Sequence, residues 1–135
     1  MPIKQINSVE LIKIFKENKA VCVLDVRTDG EWQNIGRPDA EALGVETKFL
    51  SLMLDKDGQR VFNENFQKDF LALNIDKTKK IYCICRSGMR SQKAAEIIQG
   101  LGYEAANISD GFENFDDSKS SWQKNGLPQK KLNPI

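Results

Sequence analysis

An α/β domain with a mainly parallel central sheet and helices on both faces is what this 135-residue sequence predicts. Three observations carry that expectation. Short, almost continuous apolar runs, Ala20–Arg27 (AVCVLDVR) and Lys79–Cys85 (KKIYCIC), have the pattern of strands buried on both faces. Segments with apolar residues at helical spacing lie between such runs. Arg27 and Cys85 fall where runs end, and in such sheets the site lies beyond the carboxyl ends of the strands.

Taken in order, Asn7 is placed as an N-cap with Glu10 three residues on, and Leu11, Ile14 and Phe15 follow at helical spacing, which predicts a first helix. Ala20–Arg27 is the first strand. Thr28–Glu46 is rich in turn formers and reads as a loop with one helical turn. Thr47–Leu54 (TKFLSLML) reads as a second strand and Asp55–Gln59 as a turn. Phe62, Phe66, Phe70 and Leu73 share one face of a second helix. Lys79–Cys85 is a third strand. Arg90–Gly102 is a helix that sets Ala94, Ile97, Ile98 and Leu101 against the sheet and closes at Gly102. Tyr103–Ser109 reads as a fourth strand, followed by a short helix around Phe112–Phe115, a polar stretch and a tail from about residue 129. With no internal repeat or long low-complexity segment, residues 1–135 are expected to form one domain.

The bulk composition narrows the function. Twenty basic side chains stand against 19 acidic ones, so nothing calls for nucleic acid or an anionic membrane as partner. The N-terminus lacks the layout of a signal peptide and no apolar run approaches membrane-spanning length, so a cytoplasmic protein is expected. Three cysteines, Cys22, Cys83 and Cys85, are a poor layout for disulfides, and without histidine a zinc site is not expected. Neither metal nor cofactor is predicted.

Cys85 heads a small polar loop with Arg86, Ser87, Gly88, Met89, Arg90 and Ser91. A thiol reacts as its thiolate, so a nucleophile here needs something to stabilise the anion. Successive loop N–H groups do so if Gly88 lets the backbone curl. A helix starting at Arg90 or Ser91, with Ser91 as its cap, points its positive end at the loop. Arg86 and Arg90 add two positive charges that also hold an anionic substrate. The inert alternative is a buried cysteine at an ordinary strand–turn–helix junction. Two arginines concentrated over a thiol favour the nucleophile.

These residues resemble those of the rhodanese-like sulfurtransferases. CRSGMRS, Cys85–Ser91, is similar to the family's active-site loop, and LDVRTDGEW, Leu24–Trp32, to its aspartate-valine-arginine signature followed by glutamate and an aromatic residue. SDGFENF and SSWQKNGLP resemble the downstream glycine turn and tryptophan segment, so the likeness spans roughly Val9–Pro128. IGRPDA departs from the pattern: it lacks the histidine many members carry and keeps only Pro38 and Ala40 in step, though IGRPDAEALG with TKFLSLML resembles a variant of small bacterial members. The resemblance implies a mainly parallel sheet and a persulfide on Cys85, wrapped by the six-residue loop Cys85–Arg90. It implies a small anionic sulfur donor such as thiosulfate, oriented by Arg86 and Arg90, and a thiol, cyanide or a protein as sulfur acceptor.

The neighbours and the rivals are weighed on the same residues. Asp25 and Arg27 read first as a structural ion pair and second as a substrate contact. Cys83 and Cys22 read as core, Met89 as the exposed lip of the loop, and Phe112 and Trp122 as packing for the C-terminal segment. A protein-to-protein persulfide carrier fits the same residues. A cysteine phosphatase is the other rival, with Asp110 or Asp116 as its acid. Phosphatase loops, however, resemble a cysteine and an arginine with five residues between, whereas Cys85 and Arg90 have four.

Overall fold

The computed structural model describes residues 2–113 and 119–130. In chain order the elements are β1 (Lys4–Ile6), α1 (Ser8–Glu17), β2 (Val21–Asp25), α2 (Asp29–Ile35), β3 (Arg37–Pro38), a 3-10 turn (Ala40–Leu43), β4 (Glu46–Phe49), β5 (Met53–Lys56), β6 (Gln59–Phe62), α3 (Phe66–Ala72), β7 (Lys80–Ile84), α4 (Met89–Gly100), β8 (Ala105–Ile108) and β9 (Gln129–Lys130). Five strands form one parallel sheet in the order β1-β8-β7-β2-β4. The predicted α/β class is therefore the observed one.

Strand alternation builds a core on each face. Cys22, Leu24, Ile81, Cys83 and Cys85 point to one side, where Phe66 and Phe70 of α3 and Ala94, Ala95 and Ile98 of α4 cover them. Val21, Val23, Tyr82 and Ile84 point to the other, against Leu11 and Phe15 of α1 and against Phe112 and Trp122. Both of these last two rings are fully buried, as the sequence suggests. Asn7 caps α1 with its side chain, and Glu10 returns the bond to the Asn7 N–H, completing the capping box.

Several elements differ from the sequence reading. β1 was unassigned, because three residues of mixed polarity carry no periodic signal; it is fixed by pairing with β8. Thr28–Glu46 holds two turns of helix, α2, and the 3-10 turn. The sign was present: Thr28 and Glu31 form a capping box in which each side chain satisfies the other's backbone N–H. Thr47–Leu54 is not one strand. After β4, the Leu50 and Leu52 N–H groups bond the carbonyls of Asp25 and Val26, and β5 then pairs antiparallel with β6 around Asp57 and Gly58. Phe62 consequently lies on β6, 46% exposed, and not on the helical face of Phe66 and Phe70. The predicted helix around Phe112–Phe115 falls in part on residues outside those described, where Asp116 also lies, and the two described residues, Phe112 and Glu113, are not helical.

The stretch that lacks the family histidine is braced in other ways. Arg37 and Pro38 pair with Lys130 and Gln129, the Asp39 N–H bonds the Pro128 carbonyl at 2.9 Å, and the Arg37 guanidinium lies 5.0 Å from the centre of the Phe49 ring. No helix among the described residues is long and apolar enough to cross a membrane.

Candidate active site

β2 and β7 are neighbours and run parallel, so their carboxyl ends open side by side, with Asp25 opposite Ile84. Cys85 follows at once. It lines an open cavity of about 400 Å³ with Met53, Arg60, Arg86, Ser87, Met89 and Arg90, although only 1% of the residue is exposed.

Among the described residues, two groups hydrogen-bond the sulfur. The Gly88 N–H donates to Sγ at 3.1 Å, and the Ser91 hydroxyl oxygen lies 3.2 Å from it. Gly88 has φ +101°, and a Cβ there would sit 2.5 Å from the Ser109 carbonyl oxygen, so both conformation and space require glycine. α4 begins at Met89, immediately after Gly88, and its first turn lies against the sulfur. This corrects the predicted role of Ser91: it does not cap the helix but sits inside the first turn, fully buried, with its hydroxyl directed at Cys85 and at Asn107. The glycine that starts the helix leaves no side-chain cap.

Each of the two loop arginines faces a carboxylate. Arg90 grips Glu31 through two bonds of 2.7 and 3.0 Å, and Arg60, from β6, adds a third at 3.1 Å. Arg86 Nε lies 3.6 Å from Glu113. The groups in direct contact with the sulfur are instead the Gly88 N–H and the Ser91 hydroxyl, at the start of α4. Arg60 and Glu31 were absent from the sequence-predicted set. The capping box points to Glu31, whereas nothing near Arg60 marks it, since only the hairpin brings it to the cavity.

Burial alone would raise the Glu31 pKa. The Arg90 hydrogen bonds, the Thr28 N–H and the charges of Arg90 and Arg60 outweigh it and bring the carboxyl from 4.5 to about 2. On the partner side burial pulls Arg90 down, and the bonds and charge of Glu31 reverse this, leaving it raised. A carboxyl with a depressed folded pKa stabilises the fold above the unfolded value and loses that contribution as pH falls toward the folded one. The shift is worth about 3 kcal/mol, more than half of it gone by about pH 3. In urea unfolding, the wild type is expected to lose more stability than Glu31→Gln between about pH 5 and pH 3. Parallel losses would refute the clamp.

Asp25 and Arg27 stand behind the cavity, not in its lining, and both are fully buried. Arg27 bonds Asp25 through Nε and Nη2 at 2.8–3.1 Å and the Gly36 carbonyl at 2.8 Å, with its guanidinium 4.2 Å from the centre of the Phe112 ring. Phe112 and Glu113 in turn donate their N–H groups to the carbonyls of Cys85 and Arg86. The ion pair thus supports the loop from below. Met89 is 83% exposed at the lip. Burial, then Glu46, pushes the Cys22 thiol up to about 12, and burial, then the neighbouring cysteines, raises that of Cys83. Both stay protonated and packed. Asp110, the rival acid, accepts from the Ser8 N–H and hydroxyl at 3.0–3.1 Å.

A parallel α/β sheet that presents a cysteine-headed loop to the first turn of the following helix defines a structural class. Within that class the chain belongs to the rhodanese-like domain family, whose pattern matches residues 8–118. An uncharacterised protein of Rickettsia conorii is 37% identical over 130 residues, covering 95% of this chain and 98% of its own. The crystal structure of Rv0390 from M. tuberculosis superposes with a TM-score of 0.81 at 29% identity, covering 97% of this chain and 99% of that one. A rhodanese-like domain protein from Staphylococcus aureus shares the fold at 24% identity, with a TM-score of 0.65 over 96% of this chain and all of its own. So does a Rhodopseudomonas palustris protein of unknown function, a possible tyrosine phosphatase, at 22% identity and a TM-score of 0.58 over 95% of this chain and 85% of its own.

Proposed function

We propose that this protein is a sulfurtransferase that carries a sulfane sulfur on Cys85. The observation that supports it most is the sulfur at the cavity base, met by the Gly88 N–H and the Ser91 hydroxyl, in a loop that closes on Arg90 after six residues.

In the first half-reaction the Cys85 thiolate attacks the outer sulfur of thiosulfate. A Cys85–sulfur bond forms, the donor's S–S bond breaks, and its electron pair leaves on sulfite. In the second, cyanide or a thiolate attacks the terminal sulfur of the persulfide, and the pair of the breaking bond returns to Cys85 as thiolate. Splitting the transfer into two displacements is covalent catalysis. The persulfide is an anion, so Gly88 and Ser91 are suited to stabilise it. Arg86, 45% exposed at its side chain, and Arg90 face the cavity and orient the sulfonate end of the donor; Arg60, also 45% exposed, joins them. Ser87 and Met89 complete the wall.

Two observations weigh against phosphate chemistry: the loop is short, and the Asp110 carboxylate is engaged by Ser8. Exposed Met89 beside the cavity favours relay to a protein acceptor as the second reading. The test sets thiocyanate formation from thiosulfate and cyanide against hydrolysis of an aryl phosphate. Thiocyanate without phosphate release is expected; the converse would overturn the proposal. Arg90→Ala is expected to lower kcat/KM for thiosulfate about tenfold or more, by loss of a charge-assisted contact, and Cys83→Ser to lower it far less. Equal losses would assign Cys83 a part in the reaction.

A further inference from the structure

We propose that Asn107, a buried amide on β8 that belongs to no part of the cysteine loop, is the positioning residue for both groups that touch the Cys85 sulfur. Asn107 is 3% exposed. Its Nδ2 donates to the Gly88 carbonyl at 3.0 Å and to Gln5 Oε1 at 2.8 Å, so both amide protons are engaged. That leaves Oδ1, which only accepts, facing the Ser91 hydroxyl. Gln5 is itself oriented by its own Nε2, which donates to Gln92 Oε1 at 2.6 Å and to the Ile3 carbonyl at 3.1 Å. The chain Gln92–Gln5–Asn107 therefore admits one amide orientation.

Proton counting gives the consequence. Ser91 has one hydroxyl proton and two neighbours, Asn107 Oδ1 and Cys85 Sγ. While Cys85 is a thiol, Ser91 donates to Asn107 and accepts the S–H. Once the sulfur is an anion it has no proton to give, and Ser91 turns to donate to it, leaving Oδ1 with one bond fewer. Asn107 thus holds the hydroxyl at the sulfur and decides how readily its proton is released to it. Through the Gly88 carbonyl the same amide holds the residue whose N–H, on the preceding peptide, points at Sγ. A carboxylate at this position keeps the pull on the Ser91 proton, loses both donors and repels the Gly88 carbonyl.

The role bears on the anion at Cys85 and rests on the sulfurtransferase reading only where persulfide is measured. Its test accordingly has a readout that needs no sulfur donor: the rate of Cys85 alkylation by iodoacetamide, in wild type, Asn107→Asp, Ser91→Ala and the double variant. Asn107→Asp is expected to slow alkylation about tenfold or more, the scale of one hydrogen bond to a charged group. In the Ser91→Ala background the same change is expected to have a much smaller effect, since neighbours that act through each other are not additive. The limiting rate of persulfide formation should fall with the thiosulfate KM little changed, because the Asn107 hydrogen bonds run to Ser91, Gln5 and Gly88. Should Asn107→Asp fail to fold, Gln5→Leu, which frees the amide to turn, is expected to slow alkylation about threefold. Alkylation within twofold of wild type in the folded variant, or equal effects with and without Ser91, would overturn the proposal. Absence of persulfide with normal alkylation effects would instead count against the sulfurtransferase reading and leave Asn107 in place.

Discussion

Arg27→Leu is expected to destabilise the protein by about 3–5 kcal/mol, the scale seen when one partner of a buried ion pair is removed. Asp25 and Arg27 are both fully buried and joined at 2.8 Å, so the substitution leaves a carboxylate without water and with little beyond the residue-27 backbone N–H. The Gly36 carbonyl and the face of the Phe112 ring lose their partner as well. Against a total stability of about 5–15 kcal/mol, this is a large share, and melting should fall by roughly 10–20 °C. Asp25→Asn combined with Arg27→Leu should recover part of the loss, because no charge is then stranded. Urea or thermal unfolding within about 1 kcal/mol of the wild type for Arg27→Leu would contradict the buried pair as the loop's support.

Gly111→Ala is expected to cost both stability and activity, although residue 111 does not itself line the cavity. Gly111 has φ +68°, and a Cβ there would lie 2.1 Å from the Arg86 carbonyl oxygen and 2.8 Å from the Ser87 Cα. The left-handed conformation costs an alanine about 1–2 kcal/mol before any contact is counted. Relieving the contact moves the Arg86–Ser87 backbone by about 1 Å, and a displacement of that size at a reacting centre is worth about a hundredfold in rate. Sulfur transfer should therefore fall by about that factor in the variant that still folds. Activity within about threefold of wild type would mean that the Gly111–Glu113 strip does not hold the loop.

The sequence made the strands nearest the site legible because they are buried on both faces, and continuous apolar runs like VCVLD and KIYCI have few other interpretations. It also marked Cys85, Gly88 and the loop arginines by local composition. What escaped it was held by distant partners. Arg60 reaches Glu31 across 29 residues and Asn107 reaches Gly88 across 19, and neither spacing leaves a periodic trace. The same cause explains Ser91: a serine in a first helical turn looks like a cap until the fold supplies Cys85 and Asn107 as better partners. β1 and the β5–β6 hairpin were missed because three- and four-residue strands are decided by their neighbours and not by their own pattern.

The pairing of Arg90 and Arg60 with Glu31, and of Arg86 with Glu113, changes how the site is understood. Positive charge is held in place around the cavity and nearly balanced; on the proposed reading it suits orientation of a small anionic donor more than bulk attraction. The groups that hydrogen-bond the sulfur itself, the Gly88 N–H and the Ser91 hydroxyl, carry no net charge and lie at the start of α4.

The central claim is that Cys85 carries the transferred sulfur, and intact mass after exposure to thiosulfate tests it most directly. The wild type is expected to gain the mass of one sulfur atom, to lose it on addition of cyanide, and Cys85→Ser is expected to gain none. No adduct on the wild type with any sulfur donor, or an adduct that persists in Cys85→Ser, would contradict the account.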